Sequence, residues 1–189
     1  MRVRGATSGD RVAVVASNSV DTLTVFLAIT SLGGLFSSSS TDMGVKGILD
    51  RLLQIKPRWV FVDDAALYNG KTLDLRGKME EIVQGMHGIA EFEGLVAQVR
   101  FPASPGDVSD IPRAMSWDGF LEAGKGDEEV KFERVEFSAP FLIVYSSGTT
   151  GQPKCLVHSV GGVVLNGHKE GRLHRCLDEA SVALQVCWI

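Results

Sequence analysis

Short apolar runs alternate with amphipathic stretches along the first half of this chain, and that alternation leaves few folds open. Arg11-Val12-Ala13-Val14-Val15-Ala16 has the branched content of a strand. Asn18 and Ser19 then offer capping oxygens for a helix from Val20 to Leu32, stopped by Gly33 and Gly34. Thr41 or Asp42 can cap a second helix, whose apolar positions Val45, Ile48, Leu49, Leu52 and Leu53 recur at three and four before Pro57 ends it. Trp59-Val60-Phe61-Val62 returns as a strand. A weaker helical pattern from Leu75 to Met86 precedes an expected strand from Leu95 to Phe101. Strands separated by helices predict an α/β fold with a mostly parallel sheet, because each right-handed crossover lays its helix on a sheet face. Pro102 to Pro112 and Gly124 to Glu129 read as a loop and a solvated turn. No repeat, low-complexity tract or linker divides the 189 residues, so one domain is expected.

Composition excludes several classes of function. The net charge of −4 leaves no basic stripe, so neither nucleic acid nor an anionic membrane surface is an expected partner. Met1-Arg2-Val3-Arg4-Gly5 leads into polar residues without the apolar core of a secretory signal. Val20 to Leu35, the most apolar long stretch, carries Asp21 and several threonines and reads as a buried helix; no run approaches the roughly 18 apolar residues of a membrane span. Cys155, Cys176 and Cys187 are odd in number and fit neither a zinc site nor a disulfide framework. They read as buried free thiols in a reducing, cytoplasmic setting.

The chemistry concentrates in one loop. Phe141-Leu142-Ile143-Val144-Tyr145 is an uninterrupted apolar run expected as a buried parallel strand, and Tyr-Ser-Ser-Gly-Thr-Thr-Gly-Gln-Pro-Lys, from Tyr145 to Lys154, follows at its carboxyl end. Ligands of open α/β sheets sit beyond that edge. Gly148 and Gly151 let the backbone come close to a ligand, so that successive N–H groups face anionic oxygens. Ser146, Ser147, Thr149 and Thr150 add hydroxyl donors and Lys154 a mobile cation. Hydrogen bonds to charged groups are each worth roughly 1.5 to 3 kcal/mol, so a few could hold a triphosphate. A Walker A loop needs Gly before its lysine and Ser or Thr after it; Pro153 and Cys155 stand there instead, which argues against a P-loop.

Tyr145 to Lys154 resembles the phosphate-binding signature of the adenylate-forming enzymes, the superfamily of acyl-CoA synthetases, peptide-synthetase adenylation domains and luciferases. Asp42 to Arg51, Gln54 to Pro57, Tyr68 to Lys71, Cys155 to Ser159 and Gly161-Gly162 are similar to the acetoacetyl-CoA synthetase branch. The resemblance runs from about Gly9 to about Arg175. It implies activation of acetoacetate by ATP to an acyl-adenylate, release of pyrophosphate and transfer of the acyl group to coenzyme A, with Mg2+ as the metal. It also implies that Ser146, Ser147, Gly148, Thr149, Thr150, Gly151 and Lys154 bind the β and γ phosphates.

By the same resemblance, the glutamate that helps hold magnesium, the ribose-gripping aspartate and the C-terminal domain with its catalytic lysine have no counterpart in these 189 residues. The expectation is therefore a partial N-terminal AMP-binding domain with no catalytic residue and no metal ligand of its own. The apolar, strand-like run Ser181 to Ile189 reads as an interrupted element whose unpaired edge could support self-association. Two functions follow: a segment of an acetoacetate:CoA ligase, or a remnant without turnover that binds nucleotide or modulates a full-length synthetase. Asp63 and Asp64 read as caps of the turn after their strand. His158 is expected on a strand leaving the loop, His87 at the surface, and His168 and His174 lie too far apart for a shared metal on one helix face.

Overall fold

A computed structural model of the chain describes residues 1–101, 107–126, 129–146 and 151–184. In chain order the elements are β1 (Arg11–Val15), α1 (Val20–Ser31), β2 (Leu35–Ser39), α2 (Val45–Ile55), β3 (Trp59–Asp63), β4 (Ala65–Tyr68), β5 (Lys71–Asp74), α3 (Arg76–Met86), β6 (Gly94–Gln98), β7 (Ala114–Ser116), α4 (Trp117–Glu122), β8 (Pro140–Ser146), β9 (Lys154–Ser159) and α5 (Val160–His168). Seven strands form one sheet in the order β7-β6-β3-β1-β2-β8-β9, parallel throughout except for the antiparallel β8–β9 pair at one edge. The α/β reading of the sequence therefore holds.

The alternation of side chains along each strand divides the core into two layers. On one face Ala13, Val15, Val60 and Val62 meet Ile48 and Leu52 of α2 and Met79 and Ile82 of α3. On the other, Val12, Val14, Trp59 and Phe61 meet Val25 and Ile29 of α1 and Phe120 of α4. β1 thus feeds a helix on one face while its neighbours β2 and β3 feed helices on the opposite one. Such a reversal leaves a crevice at the carboxyl ends of the strands.

Local chemistry sets the boundaries. Ser19 caps α1 by accepting from the Thr22 N–H at 3.1 Å. The cap expected for α2 differs: Gly44 is its N-cap, with no side-chain bond, because Asp42 is engaged by the Ser40 hydroxyl instead. Lys56 closes α2 in the left-handed conformation (φ 45°) one residue before Pro57. Five further elements go beyond the sequence reading. β2 is the serine-rich run Leu-Phe-Ser-Ser-Ser. β4 and β5 make a separate antiparallel hairpin around Asn69 and Gly70, both at positive φ (49° and 73°) as a type I′ turn requires. β7 and α4 are short pieces at the far edge.

Two burial expectations are corrected. α1 buries only Val25 and Ile29, while Val20 (79% exposed), Leu23 (54%) and Leu27 (55%) face outward. Along β8 only Ile143 is buried, because the strand lies next to the sheet edge.

Candidate functional site

The carboxyl ends of β1, β2 and β8 lie side by side, and each is followed by hydroxyl-bearing residues. Between β1 and β2 the chain leaves a groove of about 630 Å³ lined by Ser17, Asn18, Ser19 and Ser38 to Thr41, with Phe26 and Phe36 as its apolar lining. Next to β2, on the side away from β1, runs β8, paired through Phe36–Leu142 and Ser37–Ile143. The signature loop starts where β8 ends.

Its two feet are fixed by the ladder. Ser146 is the register partner of Lys154, and Tyr145 that of Cys155, so the loop leaves and re-enters the sheet at directly opposed positions. Opposed residues share a face, which puts the Ser146 hydroxyl and the exposed Lys154 side chain on one side of the hairpin. Gly151 holds φ 83°, the left-handed region that glycine enters without strain. Ser147, Gly148, Thr149 and Thr150 lie outside the described residues. Of the expected phosphate ligands the structure therefore brings together Ser146 and Lys154, with Gly151 three residues before the lysine.

Below the feet, Tyr145 and Cys155 turn to the face covered by α2. The Ser37 hydroxyl donates to the Tyr145 phenol oxygen at 3.3 Å, and the Arg51 guanidinium lies 5.1 Å from the ring centroid. Burial pushes the Tyr145 phenol up to about 12, so at neutral pH it stays uncharged. The Cys155 thiol donates to Gln54 Oε1 at 3.3 Å and is likewise pushed up by burial. Arg51 and Gln54 escaped the sequence reading as site residues. Their spacing on α2 was visible; the strand they meet comes from the far end of the chain.

Asp63 and Asp64 are buried and fasten strand ends to one another, where a turn cap was expected. Asp63 accepts from the Ser17 N–H at 2.8 Å and the Ser17 hydroxyl at 2.6 Å, tying β3 to the residue after β1. Desolvation pushes its carboxyl above the ordinary range, against the Ser17 bonds that lower it. Asp64 accepts from the Arg100 N–H at 2.8 Å.

His158 sits on β9, exposed, as expected, and His87 is exposed on the end of α3. His168 closes α5, and His174 pairs with Glu170 at 3.2 Å. Among the described residues no group of three His, Cys, Asp or Glu side chains converges as a metal site. The cysteine expectation is corrected: Cys155 is half-buried and Cys176 exposed, while Cys187 lies outside the described residues. Ser181 to Leu184, expected as a strand, has no regular structure, and the rest of that run also lies outside the described residues.

The profile of a family described as AMP-binding enzyme matches residues 1–187. An acetoacetyl-CoA synthetase of Rattus norvegicus is 39% identical over 186 residues, 97% of this chain and 27% of the relative. A malonamoyl-CoA synthetase of Penicillium aethiopicum is 34% identical over 177 residues, 92% of this chain and 24% of the relative. The solved acetoacetyl-CoA synthetase from Streptomyces lividans superposes with a TM-score of 0.80 at 30% identity, covering 93% of this chain and 26% of that one. The chain spans about a quarter of the length of the curated relatives it matches.

Proposed function

Because the chain belongs to the AMP-binding enzyme family, we propose that it supplies the ATP-phosphate cradle of an acid:coenzyme A ligase, with acetoacetate as the acid. The observation that carries the reading is the intact signature mounted at the carboxyl end of β8, with Ser146 and Lys154 held opposite each other at its feet. Ser146, Ser147, Thr149 and Thr150, the amides of Gly148 and Gly151, and the Lys154 ammonium bind the β and γ phosphates. A carboxylate oxygen of the acid attacks the α-phosphorus and pyrophosphate leaves. The thiol of coenzyme A then attacks the acyl carbon and AMP leaves. In the first step the charge that builds up is on the pyrophosphate, so fixed donors around it lower the barrier by electrostatic preorganisation. Magnesium would neutralise phosphate charge when bound; among the described residues no group of three His, Cys, Asp or Glu side chains converges to hold it.

Acetoacetate as the acid follows the names of the relatives. Another relative carries the name malonamoyl-CoA synthetase, a ligase named for a different acid. Residues 1–189 form part of the N-terminal AMP-binding domain in this reading. The setting is the cytoplasm, where the free thiols stay reduced; among the described residues no helix is long and apolar enough to cross a membrane.

Titration of the purified chain with ATP tests the cradle. The expected dissociation constant is roughly 1 mM, about −4 kcal/mol, and Lys154→Ala abolishes the signal without changing the thermal melt. A folded chain that gives no ATP-dependent signal would overturn the reading. Acetoacetate-dependent ATP–pyrophosphate exchange is expected to be undetectable, and robust exchange would contradict the assignment as a partial domain.

A further inference from the structure

Resting on the phosphate-cradle reading, we propose that Arg51 and Gln54 of α2 are positioning residues for the signature loop, clamping the strand pair Tyr145–Cys155 from which it springs. Tyr145 and Cys155 stand one register step inside the Ser146–Lys154 pair. Because side chains alternate along a strand, the inner pair points to the α2 face and the outer pair to the opposite one. The helix can therefore hold the base of the loop without obstructing the side that meets the phosphates.

The grip is specific on each strand. On β8 the flat Arg51 guanidinium covers the Tyr145 ring at 5.1 Å and is itself held by donating from Nη1 to the Gly47 carbonyl at 2.7 Å, one turn back on α2. On β9 Gln54, three residues further along the helix, accepts from the Cys155 thiol at 3.3 Å. Ser37 of β2 adds a hydrogen bond to the Tyr145 phenol at 3.3 Å.

Elsewhere the hairpin is held by its own ladder, by pairing with β2 and by α5, but little of it is buried. β9 buries none of its residues and among the described residues has no strand on its outer side, and β8 buries only Ile143. The ladder sets the spacing between Ser146 and Lys154; released from α2, the loop end of that ladder would lose the side-chain packing that backbone pairing does not supply, and ordering it would then weigh against each binding event.

The test uses wild-type, Arg51→Met, Arg51→Lys, Gln54→Ala and Lys154→Ala chains. Each is titrated with ATP and melted thermally, and alkylation of Cys155 by iodoacetamide without ATP is timed by peptide mass spectrometry. Arg51→Met is expected to weaken ATP binding about tenfold, the scale of a desolvated cation–π contact, and to speed Cys155 alkylation with little change in melting. Arg51→Lys, which keeps the cation but not the flat stack, recovers only part of the affinity, and Gln54→Ala gives a smaller change of the same sign as Arg51→Met. Should Arg51→Met fail to fold, Gln54→Ala carries the same two measurements. Unchanged ATP affinity in variants that alkylate faster would reduce the contact to a structural one and overturn the positioning role. If instead the folded wild type takes up no ATP, or Lys154→Ala binds as well as wild type, the cradle reading itself fails, and the positioning role with it.

Discussion

On one side of β1, strands β3 and β6 bury every residue from Trp59 to Asp63 and from Gly94 to Gln98; on the other, β8 buries Ile143 alone and β9 nothing. The first flank is packed between α2 and α3 below and α1 and α4 above. The second carries the signature loop, and beside it Leu156 and Val157 of β9, Val164 and Leu165 of α5, and Val20, Leu23 and Leu27 of α1 remain exposed. Phe26 packs edge-on against both Phe36 and Phe141 and so joins α1 to this flank. Burying a large apolar side chain is worth about 1.5 to 3 kcal/mol, so the two flanks contribute unequally to stability. The flank that holds the fold together is separate from the flank that carries the candidate site.

The contrast is sharpest for the core aromatics. Phe61→Ala, which removes a fully buried ring touching Trp117 and Phe120, is expected to cost about 3 to 5 kcal/mol in urea unfolding. Val157→Thr on β9, already 57% exposed, should change stability by less than about 0.5 kcal/mol. Comparable losses would erase the distinction between the flanks. A middle case is Arg58, which pairs with Asp10 and Glu93 (both 2.7 Å), donates to the Gly5 carbonyl at 2.6 Å and stacks on Trp59 at 4.6 Å. Arg58→Met should cost about 2 kcal/mol, since several charge-assisted bonds end together.

The smallest effect concerns pH. The folded carboxyl of Asp63 holds its proton more tightly than the unfolded one, because desolvation raises it. Below the ordinary carboxylate range both states are protonated and the group is neutral to stability. As pH rises from that range through the raised folded value, stability is lost. Asp63→Asn is expected to flatten that fall, as read from urea midpoints at a series of pH values. An unchanged slope would show that the Ser17 bonds cancel the effect of burial, and a fall in the opposite direction that they outweigh it.

The buried flank was the more legible in the sequence. Its strands are continuous apolar runs and its helices repeat at three and four, so β1, β3, α2 and α3 could be read directly. β2 was hidden because Ser37, Ser38 and Ser39 look like a loop, and only their pairing with β1, joined at Ser37 by β8, makes them a strand. The Asn69-Gly70 turn carried a hairpin signal that went unused. α1 misled because its apolar residues surround the helix, and composition alone does not tell which of them find a partner. In the site, the loop was legible because its residues are consecutive. Arg51 and Gln54 were not, because their role depends on a strand brought beside α2 by the tertiary fold.

The pairing of β8 with β2 also orders events in time. Leu142 must find Phe36, roughly a hundred residues earlier in the chain, and contacts of such separation form late because a long loop has to close first. β1, β2, β3 and β6 can assemble from nearer neighbours before β8 exists on the ribosome. The signature loop is then mounted on a scaffold already in place, so an intermediate with these four strands paired would be compact before the candidate site exists.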